Sequence, residues 1–113
     1  MLRIGSLSIL LALTLTVPAT AQETLSPEQA EARLRGCLQA GAAGAPRTGL
    51  REAVVAVRTL CTPQIRRVRV NRVAAATQGL TEEDAARAEK RATRELNDEI
   101  ALAIANFPGL RTL

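Results

Sequence analysis

The chain has 113 residues, a formal net charge of +4, two cysteines, one phenylalanine and no histidine, tryptophan or tyrosine. Without histidine the usual neutral-pH proton shuttle is missing, and with it histidine-based triads and imidazole metal sites. The length admits a single domain.

The first 21 residues are expected to be an address rather than part of the fold. Arg3 supplies a positive start, Ile4 to Val17 is uncharged, Pro18 breaks any helix, and Ala19 and Ala21 are the small residues a signal peptidase requires. Cleavage is expected between Ala21 and Gln22. A membrane anchor would need roughly 20 apolar residues, and this run is shorter and ends in a proline. There is no cysteine at the cleavage site for a lipid anchor and no twin arginine. The composition is rich in arginine and alanine, which fits a GC-rich bacterial genome. The expected destination is the periplasm of a Gram-negative cell, or the exterior.

Residues 22–113 then form one helical domain with helices at about 27–40, 49–61, 63–78 and 82–106. The fold class is all-α: a small three- or four-helix domain with one disulfide, preceded by a cleaved signal peptide. Ser26-Pro27-Glu28-Gln29 is a helix start, with Ser26 as N-cap and Gln29 completing a capping box. Ala30, Leu34, Cys37, Leu38 and Gly41 make the first apolar stripe, and the run Gly41 to Pro46 is expected to end the helix and form a linker.

A second helix beginning near Thr48 places Leu50, Val54, Val57 and Cys61 on one face. Thr62-Pro63 reads either as the cap and first residue of a third helix or as a kink in one long helix. Arg67 to Val70 alternates like a strand, but no other stretch offers a partner, so helix is expected there. Gly79 is placed to close it in the left-handed conformation, with Leu80 packing back.

Thr81 caps the last helix, with Glu82, Glu83 and Asp84 in its first turn, and Leu80 is placed to staple onto Ala85. Ala85, Ala88, Ala92, Leu96, Ile100, Ala103 and Phe107 form its expected buried stripe, with Leu102 and Ile104 widening it, and Pro108-Gly109 ends it.

The core is thin, with Phe107 its sole aromatic, so an additional source of stability is expected. Cys37 and Cys61 are expected to supply it as a disulfide in an oxidising compartment. The pairing constrains the fold. Disulfide Cα atoms lie within about 7 Å, and in a simple hairpin Cys61 would sit ~16 Å too far along the second helix. Helix one is therefore expected to lie back across the Cys61 junction, with the linker running alongside.

The chemistry is mostly absence. The predicted mature chain has one serine, Ser26, and no nucleophile motif or metal-spaced cluster. Neither enzymatic activity nor a cofactor is expected. Glu95, Asp98 and Glu99 are better read as ion-pair partners of Arg91 and Arg94 than as a cation site.

The charge distribution is the distinctive feature. From Arg33 to Arg72 there are nine arginines against one acid, Glu52, and from Glu82 to Glu99 seven acids against four bases. Two outcomes are open: the acidic last helix lies along the basic middle and satisfies it, or Arg66, Arg67, Arg69 and Arg72 form a binding surface. Arg72 would fall on the apolar stripe of a helix continuous from Leu50, so it must face a carboxylate or a partner unless Pro63 rotates the frame.

An exported protein meets anionic lipid, lipopolysaccharide or acidic proteins rather than nucleic acid. The sequence therefore points to a non-catalytic binding protein for an anionic envelope component. Alternatives are a periplasmic protein-interaction module (chaperone, inhibitor or adaptor) and a structural or stress-related protein with no specific ligand.

Overall fold

The computed structural model describes residues 25–113, and the signal segment with Ala19, Ala21 and Gln22 lies outside the described residues. Four helices follow in order: α1 (Pro27–Ala43), α2 (Leu50–Leu60), α3 (Thr62–Thr77) and α4 (Glu82–Ala105). No strand occurs among the described residues, and none of the described helices is long and apolar enough to cross a membrane.

The start of α1 is set by its sequence. The Ser26 hydroxyl accepts from the Gln29 N–H at 3.1 Å, while the Gln29 side chain accepts from the Ser26 N–H at 2.9 Å. The other end differs from expectation, because α1 runs through Gly41 and Ala42 to Ala43. Gly41 is a packing site rather than a terminator. A Cβ there would lie only 3.1 Å from Val57 Cγ1, so the missing side chain lets α1 and α2 approach closely. That contact offsets the ~1 kcal/mol that glycine costs inside a helix.

Cys37 and Cys61 sit at disulfide distance, with S–S 2.05 Å and Cα–Cα 5.9 Å. Three pairings along α1 show its direction: Gly41 against Val57, Cys37 against Cys61 and Glu31 against Arg72. Going down α1 means going up α2 and then α3. As expected from the cysteine spacing, α1 straddles the α2–α3 junction, antiparallel to both helices.

Cys61 is the single residue between α2 and α3, capping the first and opening the second with φ −97° and ψ 15°. These are two helices rather than one. Thr62 is not the cap that its position suggested. Its hydroxyl donates back to the Arg58 and Thr59 carbonyls, both at 3.0 Å. That satisfies the open end of α2. Gly79 adopts the expected left-handed conformation, φ 74°, and Leu80 is 46% exposed rather than part of the core.

The core collects Leu34 and Leu38 from α1, Val57 from α2, Ile65 and Val68 from α3, and Leu96, Ile100 and Ile104 from α4. Each fully buried aliphatic side chain contributes about 1.5–3 kcal/mol. In α4 the inward line is Leu96, Ile100 and Ile104, and Ala103 is exposed, contrary to expectation. The strict i, i+4 spacing continues the Leu96–Ile100 ridge, and Ala103 falls to its side. Helix α4 packs chiefly on α3 and also touches α1 and α2. After α4, short turns bury Leu110, and the Arg47 guanidinium from the α1–α2 linker lies over Gly109.

Candidate anionic-surface site

The structure divides the four candidate arginines. Arg72 projects from α3 between α1 and α4. Its Nε donates to Glu31 Oε1 at 2.8 Å, one terminal nitrogen to Glu31 Oε2 at 3.0 Å, and the other contacts Glu99 Oε2 at 2.8 Å. A bidentate guanidinium–carboxylate pair is among the stronger polar contacts available to a protein. Here one cation ties three helices together.

Both members of the Arg72–Glu31 pair are partly buried. The hydrogen bond from Arg72 holds the Glu31 carboxyl below its ordinary value of 4.5, with burial opposing and the charges of Arg72 and Arg35 assisting. Arg72 is held still more firmly protonated by its hydrogen bond to Glu31, with Glu99 adding to it against the effect of burial. A cleft of about 250 Å³ beside this cluster is lined by Glu31, Arg35, Arg72, Glu99 and aliphatic side chains. Two cations face two carboxylates, so an incoming anion would find no net positive charge there.

Arg66, Arg67 and Arg69 differ. All three are exposed, and none forms an ion pair among the described residues. At 100° per residue, Pro63, Arg66, Arg67, Val70 and Ala74 occupy an arc of about 100°, with Arg69 about 60° beyond Arg66 and Arg72 roughly opposite Val70. The first group faces away from the core. The acids of α4 do not compensate it: Arg87 pairs with Glu83 and Asp84 within α4, and Glu99 is taken by Arg72. The expected pairs Arg91–Glu95 and Arg94–Asp98 do not form; Glu95 and Asp98 make no ion pair among the described residues.

Two shallow hollows flank Arg66. One, about 270 Å³, is lined by Arg58, Thr59, Thr62, Ile65, Arg66 and Arg69. The other, about 410 Å³, is lined by Pro63, Arg66, Arg67, Val70 and Asn71. In the first, both threonine hydroxyls already donate to helix carbonyls, Thr59 to Val55 at 2.8 Å and Thr62 to Arg58 and Thr59. Arg58 gives one N–H to Asn97 Oδ1 at 3.1 Å. The donors left for an anion are guanidinium N–H groups.

Sequence reasoning groups Arg72 with its neighbours and misses Glu31 as its main partner. It likewise includes Arg58 in the basic stretch without assigning it to the site. The signal for Arg72 is present, since its position on the apolar stripe requires a carboxylate or a partner. Nothing in the sequence names Glu31, which lies 41 residues away. Comparison with protein-family models, curated proteins and solved structures finds no match.

Proposed function

We propose that this is a non-catalytic exported protein that binds an anionic component of the cell envelope through Arg66, Arg67 and Arg69. Arg72 is not part of that surface, because its charge is already used inside the fold. The supporting observation is the contrast within α3: the inward arginine is matched by two carboxylates, while the three exposed ones have none among the described residues. The disulfide and the expected signal peptide are compatible with a destination outside the cytoplasm.

Each arginine held near an anionic surface contributes about 1 kcal/mol, so three together raise affinity roughly a hundredfold. Such binding weakens as salt shortens the screening length, to roughly 4 Å near 0.5 M. Sedimentation of the purified mature chain with anionic vesicles is the test. The protein is expected in the pellet at low salt and in the supernatant at about 0.5 M salt; retention in the pellet at high salt, or no pelleting at low salt, contradicts the proposal. Protein-interaction roles have less to support them, since exposed Leu102 stands without a comparable cluster on α4 and single exposed leucines are ordinary.

A further inference from the structure

The outward face of α3 carries apolar side chains among its arginines. Val70 is 58% exposed. Pro63 and Ala74 on the same face are exposed as well. Pro63, Val70 and Ala74 fall at i, i+7 and i+11 and form a line down the middle of the face. Arg66 lies to one side of that line and Arg67 to the other.

We propose that this face docks flat on an anionic phospholipid bilayer, with the Pro63 and Val70 side chains entering the headgroup–acyl boundary, Arg66 and Arg67 reaching the phosphates on either side, and Arg69 reaching them from the flank. This rests on the anionic-surface reading above and goes further by naming the ligand class and the depth of contact. Arginine suits the geometry, because its stem covers apolar surface while its head stays at the level of the phosphates. The hollows on either side of Arg66 are open, and in the one lined by Arg58 and Arg69 the hydroxyls are already engaged. That arrangement suits an array of phosphates better than one enclosed ligand. The apolar line has no aromatic residue, so insertion is shallow. Binding then requires charge and apolar contact together, as expected when either signal alone is marginal.

The chain has no tryptophan, so a single introduced indole reports its own surroundings. In full-length mature protein, Val70→Trp is compared with Ala86→Trp, which sits on an exposed position of α4. Vesicles of phosphatidylcholine alone are compared with vesicles containing phosphatidylglycerol. The Val70→Trp emission is expected to shift blue, and to be quenched by brominated acyl chains, only with phosphatidylglycerol present; Ala86→Trp should do neither. Without any indole, Val70→Ser is expected to lower vesicle partitioning roughly 3–10-fold while leaving the circular dichroism spectrum unchanged.

Binding to anionic vesicles with no shift at Val70→Trp and no loss in Val70→Ser overturns bilayer insertion and leaves the charge-based reading standing. Failure of the unmodified protein to bind anionic vesicles at low salt overturns both.

Discussion

Arg69 and Arg72 are three residues apart in one helix, yet Arg72 is held by two carboxylates and Arg69 by none among the described residues. The difference is one of direction. Arg72 points between α1 and α4, where Glu31 and Glu99 wait; Arg66 and Arg67 point away, and Arg69, about 60° round the helix from Arg72, falls on the flank beside Ile65, with no carboxylate paired to it among the described residues. A run of like charges therefore need not share a role, and the helix period rather than sequence proximity sorts its members. In α3 the inward cation stabilises the fold and the three exposed ones remain available.

That division depends on how α3 is held, and the disulfide fixes the junction from which it starts. Replacing Cys37 and Cys61 together by serine removes a cross-link spanning 24 positions, worth about 3 kcal/mol on the chain-entropy model. Thermal unfolding should show a larger loss for this double variant than for any single arginine substitution. A double variant as stable as the parent would mean that the disulfide does not hold the junction.

Arg72→Gln comes next. It leaves Glu31 half-buried without its main partner, and a cost of about 1–2 kcal/mol is expected after allowing for solvent access. For a domain of this size that lowers the unfolding midpoint by roughly 4–16 °C.

The same pair predicts a pH dependence. Arg72 depresses the Glu31 carboxyl in the folded state relative to the ordinary 4.5. Its contribution to stability is therefore fully present above that value and is lost as pH falls through the folded value. Unfolding followed from neutral to acid pH should show the parent losing stability more steeply below 4.5 than Arg72→Gln does. Parallel curves would mean that the pair does not couple to folding.

The smallest stability effects belong to the three exposed arginines. Arg66→Gln, Arg67→Gln and Arg69→Gln should each change stability by no more than about 0.5 kcal/mol. A larger loss in any of them would show that the exposed arginines also hold the fold.

Much of the scaffold was legible in the sequence. Ser26 and Gln29 announced the first helix, Thr81 the last, and Gly79 the turn between α3 and α4, because caps and left-handed glycines act through neighbouring residues. The cysteine spacing even required α1 to lie across the α2–α3 junction. What escaped depended on contacts made across the fold. Gly41 reads as a helix breaker until Val57 is seen against it. Leu110 and Glu31 take their places from neighbours far along the chain, and local periodicity does not contain those neighbours. In the site, Arg66, Arg67 and Arg69 were readable as a cluster. The separation of Arg72 was foreshadowed by its apolar position but became definite only with Glu31 and Glu99 in place.

The central claim, that Arg72 holds the fold while its three exposed neighbours bind, is tested most directly by vesicle sedimentation of two variants side by side. Removing all three exposed charges in Arg66→Gln/Arg67→Gln/Arg69→Gln is expected to reduce binding to anionic vesicles roughly a hundredfold. Arg72→Gln, still folded at the assay temperature, is expected to bind like the parent. Equal losses in the two variants, or a loss confined to Arg72→Gln, would contradict the division.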